Sequence, residues 1–255
     1  MATLHVLCGP PGSGKSTTAK DWRCVDTISP DQIRTDRFGG RHDVWGDERQ
    51  FAAWRRWSFE EAIRRAAASL QAGIDVAFDI TACLRREREN VLSLLGQFAE
   101  RKIAHIFRTP LEVCLARNAA RDFPVPAAVV RAKFESLWAE PPALEEGFDQ
   151  LICAPVCIRW RGPLGAAEAV FSASDEMSIQ LSSLPTWTKA EGEKEVLRLQ
   201  QELGRAFPAS KTEAPRFFMD AHTDATFAIT WRLTHPAIAE LRSFTDEWAK
   251  LQKIF

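Results

Sequence analysis

The sequence predicts an α/β fold in which a parallel sheet is covered by helices on both faces. Its first apolar run, residues 3–8, is typical of a buried strand, and the stretch "CGPPGSGKSTTAK" leads from it into a helix. Further short apolar runs alternate with longer helical patterns, at 25–29, 74–80 and 103–109. This alternation favours a parallel sheet, because parallel strands need crossover connections that are usually helices.

The connecting helices are predicted from their starts and from apolar residues at helical spacing. Ser29 precedes Pro30, a typical N-cap followed by proline at the first helical position. The pattern after residue 122 predicts a helix and then a last strand before "RGPLG", residues 161–165, where we place a domain boundary. The predicted helices cover 14–23, a segment that starts after Ser29, Asp47 to about Ala72, 84–101, 110–122 and 126–139.

At 255 residues the chain is long enough for one main domain and an appendage. We expect a main domain over 1–160 and a C-terminal accessory region over 165–255. Helical patterns at about 189–206 and 236–252, with one strand at 225–233, predict that this region is rich in helix. It carries no catalytic motif, so we expect it to pack on the main domain or to form a surface for homo-oligomers.

Composition and charge exclude several classes of protein. The net charge of −1 is too small for a general nucleic-acid coat, although it leaves room for a local basic groove. No apolar run approaches the ~18 residues of a membrane span, and no charged leader precedes an apolar segment. The six cysteines lie mostly in apolar segments, as buried thiols do, so we expect a cytoplasmic protein without membrane association.

The strongest motif is the glycine-rich loop after the first strand. It matches G-x-x-x-x-G-K-[ST] in the strand–loop–helix context that this phosphate-binding motif requires, whereas a plain turn would need neither the lysine nor the serine. Glycines let backbone N–H groups approach phosphate oxygens, while the lysine bridges the β- and γ-phosphates and the serine binds Mg²⁺. We therefore predict that ATP and Mg²⁺ are bound by Gly9, Gly12, Ser13, Gly14, Lys15, Ser16 and Thr17, with Ser16 as metal ligand and Lys15 also catalytic.

An acid and an arginine follow the second predicted strand in "SPDQIR". Asp31 and Arg34 lie three residues apart, so both project from one side of the predicted helix. The carboxylate can accept a proton from an attacking hydroxyl, and the arginine can bind an acceptor phosphate. The alternative is that Asp31 is an acid favoured by the helix dipole and Arg34 its exposed partner.

Two more groups are expected at the same edge of the sheet. Asp79 ends the third apolar strand, where a carboxylate can order the Mg²⁺ shell or bind the acceptor. Arg117 and Arg121 share a helical face before a proline-rich loop, so they could bind the nucleotide and neutralise charge on the transferred phosphoryl group. The alternative for this pair is a solvated arginine face.

In this order along the chain, the motifs resemble the polynucleotide 5′-kinases of bacteriophage and RNA-repair systems. The resemblance spans about residues 1 to 155 and includes R-N-x-x-R at 117–121 and V-P-x-x-V-x-R at 125–131. It implies a P-loop kinase fold that transfers the γ-phosphate of ATP to a 5′-hydroxyl end of RNA or DNA. It also implies Asp31 as general base, Arg34 at the acceptor and Arg121 as a lid arginine. The family often has an asparagine near Ala82, so one polar contact differs here.

Two other functions stay open. A kinase for a nucleoside, sugar or antibiotic could use the same loop, base and arginines. An ATPase switch is a second alternative, although "VAFDIT" lacks the Asp-Glu pair of a hydrolytic motor. For base stacking the sequence offers Phe38, Trp45, Trp54 and Trp57, which we expect to be core residues instead.

Overall fold

The chain divides into two compact units, Met1–Cys153 and Ala154–Phe255. The computed structural model describes residues 2–39, 47–154, 156–162, 165–171, 176–182, 194, 197–198, 201–202, 205, 211–212, 216–219 and 227–234. Trp45 and the predicted helix at 236–252 lie outside these residues.

The first unit is built on a five-stranded sheet in which every neighbouring pair is parallel. The strand order is β2-β3-β1-β4-β5, so β1 lies in the centre with β3 and β4 beside it. This confirms the predicted α/β fold. The strands are β1 Thr3–Cys8, β2 Val25–Ile28, β3 Asp75–Phe78, β4 Arg101–Ile106 and β5 Gln150–Cys153.

Helices connect the strands of this sheet, close to the predicted positions. Ser29 caps the second helix, since its hydroxyl accepts a hydrogen bond from the backbone N–H of Gln32 at 3.4 Å. None of the helices among the described residues is long and apolar enough to cross a membrane. The helices are α1 Lys15–Lys20, α2 Pro30–Phe38, α3 Glu48–Gln71, α4 Arg85–Leu95, α5 Leu111–Ala119 and α6 Ala127–Ala139.

The central strand β1 is buried along its length because helices cover the sheet. Its residues Leu4, Val6 and Cys8 belong to a core cluster that includes small residues of α3 and apolar residues of α4. Leu7 is fully buried as well, although it lies outside that cluster. Burial of such a side chain contributes roughly 1.5–3 kcal/mol, so this strand is a rigid support for the loop that follows it.

Arg88 on α4 is fully buried and forms a bidentate ion pair with the buried carboxylate of Glu146, at 2.6 and 2.7 Å. Its other N–H groups donate to the carbonyl oxygens of Ala82 and Cys83, both at 3.2 Å, and of Glu140 at 2.8 Å. One guanidinium therefore fixes the loop after β3 to the chain segment that follows α6.

The second unit contains an antiparallel sheet in the order β10-β11-β8-β7-β6, with β9 paired to β11. The described residues of this unit are mostly strand, more than the expectation of a helix-rich region included. Those within the predicted helix at about 189–206 (194, 197–198, 201–202 and 205) are helical, and the predicted strand at 225–233 corresponds to β11. Alternating sequences such as "EMSIQLS" carry the period of two that a strand needs and could have predicted the additional strands. The strands are β6 Val156–Gly162, β7 Gly165–Phe171, β8 Glu176–Ser182, β9 Lys211–Thr212, β10 Arg216–Met219 and β11 Phe227–Thr234.

The boundary between the units lies before the "RGPLG" stretch at 161–165. Strands β6 and β7 pair with each other up to Gly162 and Gly165. The division into compact units at residues 153 and 154 thus falls earlier in the chain than the expected boundary at 160–165. A Gly-Pro turn signals a reversal of the chain equally well between two strands and between two domains.

We expect Arg88→Met to lower the free energy of unfolding by about 3–5 kcal/mol, because it leaves the Glu146 carboxylate buried without its partner. The measurement is urea denaturation. Arg85→Met is the matched control on the same helix, where the exposed pair with Glu89 should matter far less. The double variant Arg88→Met/Glu146→Leu should recover part of the loss. A single variant within about 1 kcal/mol of wild type would contradict this role.

Candidate active site

The carboxyl ends of four parallel strands meet at one edge of the first sheet, as they do in ligand-binding α/β folds. The glycine-rich loop follows β1, and the segment that begins with Ser29 follows β2. Asp79 follows β3, and Thr109 lies in the loop after β4. The predicted groups from distant parts of the sequence are therefore brought to one side of the sheet.

The glycine-rich loop adopts a conformation that depends on glycine. Gly12 and Gly14 have φ of +82° and +99°, and a Cβ on Gly12 would lie 2.3 Å from the carbonyl oxygen of Cys114 on α5. The backbone N–H of Gly9 donates to the carbonyl of Thr81 at 2.8 Å. The loop is thus held between α5 on one side and the segment after β3 on the other.

Thr109 is a site residue that the sequence analysis missed. Its hydroxyl donates to the carbonyl oxygen of Ser13 at 2.7 Å, so it braces the glycine-rich loop from the end of β4. Strand β4 ends at Ile106 and not at residue 109 as predicted, which leaves Thr109 in the loop. A threonine next to a proline carries no signal for such a contact, because its partner lies 96 residues away.

The Lys15 ammonium lies inside the loop that it belongs to. Its Nζ donates to the carbonyl oxygens of Gly9 at 2.7 Å and Pro10 at 3.0 Å, and to Ser13 Oγ at 3.4 Å. Burial lowers the pKa of Lys15, and the Asp79 carboxylate acts in the opposite direction. The loop thus holds the cation within reach of any phosphate that its backbone binds.

Ser16, in the first turn of α1, is hydrogen-bonded to Asp79, which follows β3. Ser16 Oγ donates to Asp79 Oδ2 at 2.6 Å. Burial raises the pKa of Asp79, whereas the Lys15 ammonium and the Ser16 hydrogen bond lower it. A hydroxyl next to one carboxylate suits Mg²⁺, which binds few protein oxygens and completes its shell with phosphates and water. The pair therefore fits the magnesium ion that a P-loop implies.

Asp31 and Arg34 form an ion pair at the start of α2, with Arg34 Nη2 2.8 Å from Asp31 Oδ1. The Asp31 side chain is 83% exposed, while that of Arg34 is 11% exposed. The Arg34 guanidinium lies over the Phe51 ring, 5.3 Å from its centre, and Arg55 approaches the same ring at 5.9 Å. The Asp31 charge also raises the pKa of Asp79.

Arg117 lies beside the glycine-rich loop at the end of α5. Its Nη1 would lie 3.5 Å from a Cβ on Gly14, so this arginine is next to the loop backbone and not on a remote solvated face. Arg121 follows the end of the same helix and is exposed, and its charge lowers the pKa of both Lys15 and Asp79. The role of Arg121 toward a nucleotide stays a prediction.

The arginines of α3 do not form a bare basic surface. Arg56 is paired with Glu60, while Arg64 and Arg65 share Glu61, all at 2.7–2.9 Å. These acids neutralise much of the positive charge that the sequence suggests for this helix.

The aromatic residues at the junction of α2 and α3 lie nearer the surface than expected. Phe38 stacks on Trp54 with ring centres 4.5 Å apart, and both are half-buried. Trp57 contacts Phe38 edge-on and is 38% exposed. The expectation that these three residues belong to the core is therefore wrong.

The fold and the loop geometry together define a P-loop kinase-like fold. Residues 4–140 match a family model described as an AAA domain (AAA_33), and the match covers more than half of the chain. The protein therefore belongs to this family. A comparison with curated proteins finds no match.

Several solved structures resemble the chain at low identity. The Pnkp1/Rnl/Hen1 complex aligns at 20% identity and a TM-score of 0.39, over 49% of this chain and 42% of the matched one. A kinase candidate from Chloroflexus aurantiacus aligns at 16% identity and a TM-score of 0.42, over 60% of this chain and 84% of the matched one. The tunicamycin resistance protein of Deinococcus radiodurans aligns at 17% identity and a TM-score of 0.38, over 60% of this chain and 86% of the matched one. The chain thus spans less than half of the first of these proteins, and similarity at this level does not identify an acceptor.

We expect Gly12→Ala to weaken ATP binding through two effects. The positive φ of this residue is strained for alanine, and the added methyl group would also collide with the Cys114 carbonyl of α5. Gly73→Ala is the matched control, because Gly73 has φ of +78° but open space around it. The control should cost about 1–2 kcal/mol of stability and leave ATP affinity unchanged. Gly12→Ala should weaken ATP binding by at least about tenfold, measured by calorimetry, because its methyl group forces α5 away. Equal ATP affinity in both variants would contradict this.

Proposed function

We propose that the chain is an ATP-dependent kinase that transfers the γ-phosphate to the 5′-hydroxyl end of a polynucleotide, RNA or DNA. The observation that carries the proposal is the shared edge of Lys15, the Ser16–Asp79 pair and the Asp31–Arg34 pair. A phosphate-binding loop beside an acid–arginine pair is what transfer between two positioned groups requires. The order of motifs that resembles the polynucleotide 5′-kinases supports this acceptor.

On the donor side, the backbone of the glycine-rich loop and Lys15 bind the phosphates of ATP. Arg117 and Arg121 lie where they can neutralise charge on the triphosphate as the γ-phosphoryl group is transferred. Mg²⁺, when bound through Ser16 and Asp79, would supply further positive charge to the phosphate oxygens. The low polarity that burial creates around Lys15 and Asp79 strengthens each of these interactions.

On the acceptor side, Asp31 is the general base. The 5′-oxygen attacks the γ-phosphorus, the bond to the β–γ bridging oxygen breaks, and ADP leaves. The hydroxyl proton passes to the Asp31 carboxylate. Arg34 binds the phosphate that follows the terminal nucleoside. Because the Arg34 guanidinium contacts Asp31 Oδ1 at 2.8 Å, a phosphate that draws Arg34 away also frees this oxygen to accept the hydroxyl proton.

A kinase for a small molecule is the second candidate. It is favoured by the Glu60 and Glu61 pairs, which remove much of the basic surface that a long polynucleotide would use. Such a kinase would keep the donor side and the Asp31 base, and only the contacts to the acceptor would differ.

The discriminating experiment offers γ-labelled ATP with a series of acceptors. These are 5′-OH DNA, 5′-OH RNA, nucleoside 3′-monophosphates, free nucleosides and a panel of small metabolites. We expect label on the polynucleotides, and more on nucleoside 3′-monophosphates than on nucleosides because only the former offer Arg34 a phosphate. Label on a small metabolite alone would favour the second candidate. ATP hydrolysis whose rate does not depend on any acceptor would indicate an ATPase switch.

We expect Lys15→Ala to retain less than about a tenth of the transfer activity in the same labelling assay, because it removes a cation that contacts the phosphates in the transition state.

We expect Asp31→Asn to slow transfer at least ~100-fold while ATP affinity and melting temperature stay near wild type, because only the base is lost. Asp36→Asn is the matched control, since Asp36 is an exposed acid of the same helix that accepts a hydrogen bond from Gln32. Transfer is measured under single-turnover conditions. A near-normal rate with a lower melting temperature would make Asp31 a structural acid, and Asp79 would be the next candidate for the base.

We further propose that the protein acts in the cytoplasm and that the unit Ala154–Phe255 has an accessory or self-association role. Light scattering of the full chain tests the second point. A monomer at all concentrations would remove self-association from the proposal.

A further inference from the structure

The loop that follows α5 is closed by a single buried amide. Asn118 is 3% exposed, and its Nδ2 donates to the carbonyl oxygen of Val125 at 2.7 Å. Its Oδ1 accepts from the backbone N–H of Val125 at 3.0 Å. The backbone N–H of Arg121 donates to the Asn118 carbonyl at 3.2 Å. Both ends of the segment that carries Arg121 are thus tied to one residue.

Asparagine suits this position for a chemical reason. A side-chain amide presents a donor and an acceptor side by side, so it can satisfy both the N–H and the C=O of one backbone residue. Aspartate offers no donor when ionised, and alanine offers neither. In a buried position each lost partner leaves a backbone group unsatisfied.

The other end of α5 is fixed to the glycine-rich loop. Gly12 allows the close approach of the Cys114 carbonyl, and Thr109 binds the carbonyl of Ser13 just before the helix starts. Arg117 lies against Gly14 at the far end of that contact. The helix is therefore a rigid connection from the phosphate-binding loop to Asn118, and only the segment after Asn118 needs a separate anchor.

We propose that Asn118 is a positioning residue for Arg121. This rests on the proposed function, in which Arg121 neutralises charge on the transferred phosphoryl group. The Arg121 side chain is exposed, so packing does not hold it, whereas Arg117, four residues earlier, already lies against Gly14 of the glycine-rich loop. The two Asn118–Val125 hydrogen bonds restrict the backbone of this segment before ATP binds, which lowers the ordering cost of bringing the guanidinium to the phosphates.

A double-mutant cycle tests the proposal. Asn118→Ala should lower kcat by about 10- to 100-fold in the wild-type background. In the Arg121→Ala background it should lower kcat by less than about twofold, because the group that it positions is already gone. Equal losses in both backgrounds, or no loss in the wild type, would overturn the proposal. Ala120→Ser, an exposed change in the same segment, is the control and should leave kcat unchanged.

The same double-mutant cycle is also measured as the dissociation constant of ATP. This measurement needs no acceptor. Asn118→Ala should weaken ATP binding in the wild-type background and have little further effect beside Arg121→Ala. If wild type phosphorylates none of the acceptors, the proposed function fails, whereas this cycle in ATP affinity still decides the role of Asn118. Additive losses in ATP affinity would overturn it.

Two measurements guard against a general loss of structure. Asn118→Asp keeps the volume and the acceptor for the Val125 N–H but not the donor, so it should lower kcat less than Asn118→Ala does. Both variants lose a buried hydrogen bond, so their melting temperatures are measured in parallel and kcat is compared well below both of them. In the wild type, hydrogen exchange should show a protected Val125 amide. An unprotected amide would overturn the proposal without any variant.

Discussion

The candidate site depends on the buried ion pair between the Arg88 guanidinium and the Glu146 carboxylate. All five N–H groups of the guanidinium have partners, so a charge that would be costly in the core is fully compensated. Its contacts to Ala82 and Cys83 fix the segment after β3. That segment begins with Asp79 and includes the carbonyl of Thr81, which binds the N–H of Gly9. The position of the acid and the position of the glycine-rich loop are therefore set by one buried ion pair.

The phosphate-binding loop and α5 act as one body. The contact between Gly12 and Cys114 and the hydrogen bond from Thr109 hold them together. Lys15 and Asp79 are both buried next to this body, so each charge acts strongly on the pKa of the other. Because α5 is fixed to the loop, Arg117 at the end of this helix is fixed relative to the loop as well. The proposed ATP-binding side is therefore rigid.

The proposed acceptor side is organised more loosely. The Asp31 side chain is exposed, so its ion pair with the largely buried Arg34 is partly screened by solvent and contributes little to stability. The cation–π contact of Arg34 with Phe51 is its link to α3. A rigid donor side beside an open acceptor side agrees with the general rule that one fold can serve many substrates, because function depends on the residues of the site.

The sequence by itself determined the features that obey local rules. The glycine-rich loop between a strand and a helix, the Ser29–Pro30 helix start and the alternation of strands with helices depend on residues a few positions apart, so each could be predicted. Asp31 and Asp79 could be placed at one edge because parallel strands end on the same side. The tertiary structure decided everything that depends on distant partners. Nothing in "RREREN" distinguishes the buried Arg88 from its exposed neighbours, since its partner Glu146 lies 58 residues away. The same holds for Thr109 beneath the glycine-rich loop, because a contact between residues 96 positions apart is selected by packing in three dimensions and leaves no local pattern.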